Sequence, residues 1–366
     1  MKLPPMLYWP RKTRAFKLTF AISKCLAPLN FVVIPDLPQQ GFSMKNIVFS
    51  KFGDPKDVLS LQESGSFPMP EGTARVDVLC APVNPSDIAT IEGHYGDLPD
   101  LPATPGLEGI GRVREVNGTG IDVGSLVLLP GGGTWVTEMV CNIEELVPLP
   151  HADVDQLSML TVNPATAYLL LRDYVELKPG DWVIQSAANS AVGQYVIQLG
   201  KARGIKVACV VRSEAARAKL LADGADAVFL DGPDLMEHVQ AATGSKMRLA
   251  LDAVAGETFG HLAETLEYGG TLVLFGGLSG HPAQIDNGLI IFNNVQIKGF
   301  WLLPWIQNTS TEEKAEVYGA LTQEVITGRL HADVAAHYSL DQFTDAMRAY
   351  ETPGRNGKIL FAPNGI

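Results

Sequence analysis

Residues 182–193 read WVIQSAANSAVG, and this stretch decides the fold. An apolar run at 182–186 is typical of a buried strand, and small residues then lead into a helical pattern at 192–203. Downstream, a second helical pattern lies at 214–223, and apolar runs continue to alternate with helical segments. This alternation predicts an α/β domain built on a doubly wound parallel sheet. Its predicted strands are residues 182–186, 206–211, 227–230, 249–253, 271–275 and 295–300.

The segments on either side of this sheet have a different character. Residues 44–150 contain short apolar runs broken by glycine, proline, aspartate and asparagine, which predicts a β-rich, barrel-like domain. Residues 153–177 are predicted to form two helices, because Pro164 would interrupt one long helix. A helix near 312–327 and a final apolar run at 358–361 are expected to return to the β-rich domain. The predicted domains are therefore 44–160 with 300–366, and 161–299.

Composition narrows the class of protein. The chain has 366 residues, of which 46% are hydrophobic and 19% charged, as expected for a globular protein with a large core. Its net charge of −12 argues against nucleic acid or an anionic membrane as partner. The cysteines, Cys25, Cys80, Cys141 and Cys209, are widely spaced and form no CxxC pair. This pattern is typical of a reducing compartment without structural disulfides.

Residues 1–43 form a basic leader that carries six lysines and arginines and one acidic residue, Asp36. No apolar run in this leader is long enough to span a membrane. Two interpretations remain open. The leader is a transit peptide, or it results from an upstream start codon, with Met44 opening the first strand and the leader disordered.

Two turns of the parallel sheet are candidates for binding a dinucleotide. The small residues from Ala187 to Gly193 would let backbone amides approach a pyrophosphate at the start of a helix, although only Gly193 of the usual GxGxxG is present. Arg212 ends the second strand, where an arginine favours the 2′-phosphate of NADPH over NAD. Glu214 leaves an alternative open, because an acidic side chain could instead bind a ribose hydroxyl.

Glycines and aromatic residues near the end of the sheet suggest further contacts. Residues 275–278, Phe-Gly-Gly-Leu, follow a strand, where glycine lets a ribose approach the backbone. Residues 299–305 read GFWLLPW. The two tryptophans of this segment pack in a core or interface, or they line a cofactor wall or an apolar acyl channel.

Together these segments resemble one family. The segments are NPSDIATIEGHYG at 84–96, VNPATAY at 162–168, IQSAANSAVGQYVIQ at 184–198, VVR at 210–212 and GFWLLPW at 299–305. They resemble the zinc-independent medium-chain dehydrogenase/reductases, and among these the mitochondrial-type trans-2-enoyl-thioester reductases. The resemblance implies a GroES-like catalytic domain and a Rossmann domain.

The resemblance also implies a reaction and its residues. NADPH would reduce an enoyl-CoA or an enoyl group on acyl-carrier protein, and Tyr95 would be the catalytic tyrosine. A homodimer is expected, located in the cytoplasm, or in the mitochondrial matrix if the leader is a transit peptide. The implied cofactor-binding residues are Asn163, Asn189, Ser190, Ala191, Val192, Arg212, Ser213, Glu214, Phe275, Gly276, Gly277, Leu278, Phe300, Trp301, Leu302 and Lys358.

A catalytic metal is not expected. Zinc-dependent members of this superfamily carry a cysteine shortly before the aspartate of the first segment and a histidine before Glu108. This chain has Asn84-Pro85-Ser86 ahead of Asp87, and Leu107 at the histidine position. A catalytic zinc needs about three protein ligands, so one carboxylate is not enough.

Two alternatives to enoyl-thioester reduction remain open from the sequence. A quinone or general enone reductase would share the fold and the cofactor, although such enzymes tend to carry Gly-Ala-Ala-Gly-Gly-Val-Gly at the pyrophosphate turn. A non-catalytic NADPH-binding sensor or structural protein would use Tyr95 only to pack its loop. The response to thioester and quinone substrates separates these possibilities.

Overall fold

The structure is a computed structural model that describes residues 43–365. Residues 1–42 of the predicted leader lie outside this range. The strands are β1 Ser43–Phe49, β2 Leu59–Gly65, β3 Thr73–Pro82, β4 Ile110–Asn117, β5 Leu126–Leu128, β6 Glu138–Asn142, β7 Val147–Leu149, β8 Trp182–Gln185, β9 Lys206–Val211, β10 Ala227–Leu230, β11 Met247–Asp252, β12 Leu266–Leu274, β13 Gln296–Gly299, β14 Val334–Tyr338 and β15 Lys358–Phe361.

The helices alternate with these strands in the middle of the chain. They are α1 Pro55–Val58, α2 Pro85–Glu92, α3 Val154–Ser158, α4 Asn163–Arg172, α5 Ala191–Ala202, α6 Glu214–Ala222, α7 Leu235–Thr243, α8 Gly256–Glu264, α9 Asn287–Ile291, α10 Leu302–Asn308, α11 Thr311–Ile326 and α12 Phe343–Glu351. No helix of the described residues is long and apolar enough to cross a bilayer.

Residues 166–301 form one of two compact units. Their sheet is wholly parallel and has the order β10-β9-β8-β11-β12-β13. Numbered from β8, this is the order 3-2-1-4-5-6 of dinucleotide-binding folds, in which ligands bind where the strand order reverses. The reversal lies between β8 and β11, and apolar side chains such as Ile184, Leu262 and Leu272 pack the core.

The predicted strands of this sheet are confirmed, but two of them begin earlier than predicted: β11 by two residues and β12 by five. Strand β12 begins at Leu266, five residues before the predicted start at 271. The first part of β12 could not be predicted, because the residues Glu267-Tyr268-Gly269-Gly270 are polar and glycine-rich and lack the apolar pattern of a strand. Leu266 is buried and pairs with Met247 of β11, so tertiary pairing extends the strand beyond its apolar run.

The second unit comprises residues 43–165 and 302–365 of the described chain. Its main sheet has the order β14-β15-β3-β4-β5-β7, with β6 also paired to β3. The final strand pairs antiparallel with β3, with Leu360 opposite Pro82. The core of this unit includes Trp135 and Phe361, whose ring centroids are 4.9 Å apart.

The two helices predicted within 153–177 are confirmed as α3 and α4. Pro164 does not interrupt a helix but stands at the second position of α4. A proline is tolerated there because the first amides of a helix have no partner within it. The overall fold class, a GroES-like β-rich domain with a parallel-sheet Rossmann domain, is confirmed.

Candidate active site

The turn between β8 and α5 has the features of a phosphate-binding turn. Ala187 adopts a left-handed backbone conformation, with φ of 46°. The Ser190 side chain caps α5 by accepting a hydrogen bond from the Gly193 amide at 3.1 Å. A Cβ atom at residue 193 would lie 2.4 Å from the Ala188 carbonyl oxygen, so only glycine fits. Of the predicted residues 189–192, Ala191 and Val192 lie in the first turn of α5, where backbone amides without a partner in the helix are suited to bind an anion.

The turn after β9 lies at the same edge of the sheet, because β8 and β9 are neighbouring parallel strands. Ser213 caps α6 by accepting a hydrogen bond from the Ala216 amide at 3.3 Å. The Glu214 carboxylate lies 3.2 Å from Arg217 Nη1. Arg212 is exposed and forms no ion pair within the described residues. A cationic side chain is therefore available at this turn, whereas the acidic side chain is already paired.

A buried aspartate lies where the strand order reverses. Asp252 ends β11, and its carboxylate accepts hydrogen bonds from Ser186 Oγ at 2.6 Å and from the amides of Val254 and Ala255 at 2.8 and 3.0 Å. Burial raises the pKa of this carboxyl. These contacts tie the turns after β8 and β11 together across the crevice. Ser186 and Asp252 were not among the predicted site residues, although an aspartate at the end of an apolar strand was a usable signal.

The segments after β12 and β13 complete this edge of the sheet. A Cβ atom at Gly276 would lie 2.8 Å from the Ala253 carbonyl oxygen, so residues 275–278 pass close to the neighbouring turn. The Phe300 ring meets Tyr174 edge-on, with 6.4 Å between centroids. The structure thus brings together the predicted residues at 189–192, 212–214, 275–278 and 300 at the carboxyl ends of parallel strands.

The second unit contains a cavity of about 490 Å³. Its wall is largely apolar, and the Tyr95 phenol is one of its polar side chains. The Tyr318 hydroxyl donates a hydrogen bond to the Thr161 carbonyl oxygen at 3.1 Å, which fixes one side of the wall. Leu302, predicted as a cofactor contact, also lines this cavity. The main apolar residues of the wall are Phe49, Leu98, Leu129, Leu303 and Ile306.

Local structure explains why Tyr95 reaches this cavity. Helix α2 begins with a capping box in which Asp87 Oδ2 accepts a hydrogen bond from the Asn84 amide at 2.7 Å. The helix ends at Gly93, whose φ of 80° lies in the left-handed region that glycine favours. The Tyr95 amide then donates to the Ala89 carbonyl oxygen at 3.2 Å. This hydrogen bond folds the loop back on the helix and positions the phenol.

A group of buried polar side chains also belongs to this unit. We call Asn84, Asp87, Glu108, Asn163 and Lys358 the buried polar network. All five are at most 7% exposed. They join the start of α2, the loop before β4, the start of α4 and the start of β15. Lys358 Nζ donates to the Val83 carbonyl oxygen at 2.8 Å and to Asn84 Oδ1 at 2.5 Å. The network thus contains the predicted residues Asn163 and Lys358.

Burial changes the acidity of the charged members of the network. Burial raises the pKa of Asp87 and that of Glu108 to about 7. It lowers the pKa of Lys358 to about 8, while the two carboxylates oppose this shift. Asn84 and Glu108 were not among the predicted site residues and had been considered only as positions that argue against zinc. The signal that could have identified these two residues is that each is a polar residue whose neighbours are mostly buried.

These pKa shifts predict a pH dependence of stability. Between about pH 4, where free carboxyls titrate, and pH 7, the folded protein holds protons on Asp87 and Glu108 that the unfolded chain has released. The free energy of unfolding should therefore decrease as the pH rises through this window. Replacing Glu108 with glutamine should flatten the decrease. Urea unfolding at several pH values measures it, and an equal slope in the variant would contradict the assignment.

Two family models match the chain. The alcohol dehydrogenase GroES-like domain matches residues 70–151, and the zinc-binding dehydrogenase model matches residues 191–316. The second description names zinc. In the part of the chain that the structure describes, no three histidine, cysteine, aspartate or glutamate side chains are grouped as metal ligands.

Known proteins match nearly the full length. The human mitochondrial enoyl-[acyl-carrier-protein] reductase is 36% identical over 330 residues, covering 87% of this chain and 88% of the relative. Etr1p, described as a mitochondrial 2-enoyl thioester reductase of Candida tropicalis, has been solved with NADP and crotonyl-CoA. That structure matches with a TM-score of 0.80 and 27% identity, covering 88% of this chain and all of the other.

A quinone reductase is similar as well. The Escherichia coli quinone oxidoreductase in complex with NADPH matches with a TM-score of 0.78 and 26% identity, over 87% of this chain and all of the other. The fold, the two family models and the identity to the human relative agree. The chain belongs to the medium-chain dehydrogenase/reductase superfamily of oxidoreductases, in the family of the mitochondrial enoyl-[acyl-carrier-protein] reductases.

Proposed function

We propose that this protein reduces trans-2-enoyl thioesters to acyl thioesters with NADPH. The observation that carries the proposal is the cavity of about 490 Å³ whose apolar wall contains the Tyr95 phenol. An apolar wall accommodates an acyl chain, and the phenol offers one donor for the polar thioester group. The names of the human relative and of Etr1p support the same reaction.

The residues of the parallel-sheet unit fit NADPH. The turn at 187–193 has the close approach and the capped helix start that a pyrophosphate requires. Arg212 offers a cation to the 2′-phosphate, and the Glu214 carboxylate is already paired with Arg217. Residues 275–278 and Phe300 would hold the nicotinamide half. When bound, NADPH supplies the hydride that reduces the β-carbon of the enoyl group.

Residues of the second unit would then stabilise the negative charge that develops on the substrate and supply a proton. Reduction at the β-carbon leaves negative charge shared by the thioester oxygen and the α-carbon. The Tyr95 hydroxyl would donate a hydrogen bond to that oxygen, and it would deliver a proton to the α-carbon directly or through water. Because the wall is largely apolar, this hydrogen bond would be stronger in the cavity than in bulk water.

A spectrophotometric assay tests the proposal. Loss of NADPH absorbance is followed with crotonyl-CoA, with a longer trans-2-enoyl-CoA and with a simple quinone in parallel. Oxidation that depends on the thioester supports the proposal. Activity with the quinone and none with either thioester would instead establish a quinone reductase, which the similarity to the Escherichia coli enzyme favours as the second candidate. Binding of NADPH without oxidation by any of these substrates would indicate a non-catalytic protein.

We propose that the protein forms a homodimer through the free edge of its parallel sheet. Strand β13 is the last strand of that sheet and is exposed throughout. Its Ile297 is 45% exposed, and Phe292 just before it is 79% exposed. An edge strand with free backbone groups is a template for pairing with another chain, and the exposed side chains of Ile297 and Phe292 would be covered by such pairing.

Replacing Ile297 with lysine is expected to convert the dimer into a monomer, because a charge on the edge opposes strand pairing. Size-exclusion chromatography with light scattering measures the mass. Val123→Lys is the control, since Val123 is an equally apolar exposed residue of the second unit. This interface would be refuted if the Ile297→Lys variant remained a dimer, or if the wild-type protein were a monomer.

We also propose a mitochondrial location, which the name of the human relative supports. The basic, acid-poor composition of residues 1–43 is consistent with it. Fractionation of cells that express the full chain tests this location.

A further inference from the structure

The buried polar network has a fixed direction of hydrogen bonding from one end to the other. At one end, the Lys358 ammonium can only donate, and at the other an ionised Glu108 can only accept. Asn84 lies between them: its Oδ1 accepts from Lys358 Nζ at 2.5 Å, and its Nδ2 donates to Glu108 Oε1 at 2.9 Å. Reversing this amide would place an NH₂ group against the ammonium and an oxygen against the carboxylate. The orientation of Asn84 is therefore determined by its two charged neighbours.

The orientation of the Asn163 amide is determined by its neighbours as well. Its Nδ2 donates to Asn84 Oδ1 at 3.1 Å and to Glu108 Oε1 at 3.2 Å. Both of these atoms are acceptors, because the Asn84 amide has a determined orientation and an ionised Glu108 can only accept. A reversed Asn163 amide would therefore place its oxygen against two oxygens. Both amide hydrogens are thus used inside the network. The remaining atom, Asn163 Oδ1, accepts no hydrogen bond within the described residues and is not cut off from solvent.

We propose that Glu108 and Lys358 are positioning residues that orient the Asn163 amide, so that its oxygen accepts a hydrogen bond from a donor on the nicotinamide half of NADPH. This inference rests on the proposed function, which supplies the cofactor. It assigns Lys358 an indirect role, because the Lys358 ammonium points to Asn84 and the Val83 carbonyl. Asn163 would contact the cofactor directly. Glu108 and Lys358 would determine that the oxygen of its amide, and not the nitrogen, makes this contact.

The surroundings of Glu108 support this role. The Glu108 Oε2 atom accepts a hydrogen bond from the Val162 amide at 2.8 Å, so both carboxylate oxygens act as acceptors. The Lys358 charge favours the ionised form of Glu108, while burial and the neighbouring Asp87 oppose it. Three N–H donors, from Asn84, Asn163 and the Val162 amide, face the two carboxylate oxygens, an arrangement that fits the ionised form. Arg355 also acts on Lys358 and favours its neutral form.

Glu108→Gln tests the proposal with little change in shape. A glutamine amide must place its NH₂ group either toward Asn84 and Asn163 or toward the Val162 amide, so at least one donor loses its acceptor. The dissociation constant of NADPH is expected to rise about tenfold, the effect of one hydrogen bond. The dissociation constant of 2′,5′-ADP, which has the 2′-phosphate but no nicotinamide, is expected not to change. Both are measured by calorimetry at pH 7.5.

A matched control separates this effect from general destabilisation. Glu138→Gln makes the same change at another buried glutamate of the same unit, where Arg75 and Arg114 are the partners. It should leave both dissociation constants as in the wild type. Equal weakening of NADPH and 2′,5′-ADP in Glu108→Gln, or no weakening of either, would overturn the proposal.

A double-mutant cycle tests whether Glu108 acts through Asn163. In an Asn163→Ala background the amide is absent, so Glu108→Gln is expected to have no further effect on NADPH binding. A second tenfold loss in this background would refute a positioning role. Should Glu108→Gln fail to fold, Lys358→Met removes the donor at the opposite end of the network and is expected to weaken NADPH selectively in the same way.

The failure of this proposal differs from the failure of the proposed function. If the wild-type protein oxidises NADPH with an enoyl thioester and Glu108→Gln binds NADPH normally, only the positioning role is wrong. If the wild-type protein binds no NADPH, both proposals are wrong.

Discussion

Replacing Tyr95 with phenylalanine is expected to lower kcat for enoyl thioesters by about a hundredfold to a thousandfold, the usual effect of removing one donor at a developing oxyanion. The phenyl ring retains the packing of the side chain in the cavity wall, so the variant should still fold. The dissociation constant of NADPH should not change, because the cofactor residues proposed here do not include Tyr95. Steady-state kinetics with crotonyl-CoA and calorimetry with NADPH measure the two effects separately.

Tyr338→Phe is the matched control for this change. Tyr338 is a half-buried tyrosine of β14 in the same unit and does not line the cavity. Its replacement should leave kcat close to that of the wild type. Weaker NADPH binding in Tyr95→Phe with an unchanged kcat would show that the phenol serves the cofactor and not the reaction.

Replacing Arg212 with alanine is expected to remove most of the preference for NADPH over NADH. A charge-assisted contact to phosphate is worth about 1.5–3 kcal/mol, or roughly tenfold to a hundredfold in affinity. The loss should appear in kcat/KM for NADPH, whereas kcat/KM for NADH should stay nearly constant because NADH has no 2′-phosphate. The ratio of the two values is the measurement.

Arg217→Ala is the control for loss of positive charge beside this turn. The Arg217 guanidinium is paired with Glu214, so its removal should change the cofactor preference much less than removal of Arg212. Freeing the Glu214 carboxylate could only favour NADH. An unchanged preference in Arg212→Ala would refute the assignment of the 2′-phosphate site and leave Glu214 as the alternative.

Features that depend on neighbours in sequence could be predicted. The turn at 187–193 needs a strand, small residues and a helix start in succession, and all three are visible in one stretch. The bounds of β9 and β10 agree with the predicted ones, because turn residues frame an apolar run on each side. The prediction for Tyr95 came from the resemblance of the continuous segment 84–96 to the family.

Features that depend on distant residues could not be predicted in the same way. Lys358 reaches Asn84 across 274 positions of the chain, and no periodicity or spacing encodes that contact. The same holds for the hydrogen bond between Ser186 and Asp252, which requires β8 and β11 to be neighbours. A polar residue in an apolar segment signals that a partner exists, but the sheet topology decides which partner it is.

The pairing of β15 with β3 has a consequence for the order in which the chain can fold. Residues 166–301 are continuous, so their parallel sheet can form as soon as this segment has left the ribosome. The β-rich unit is completed later, because its strand β3 pairs with β4 and β6 but gains its third neighbour, β15, only when residues 358–361 have been made. Until those residues are made, Asn84 and Glu108 have no Lys358 to compensate their burial. Synthesis from the N-terminus therefore favours completion of the dinucleotide-binding unit before the cavity that contains Tyr95.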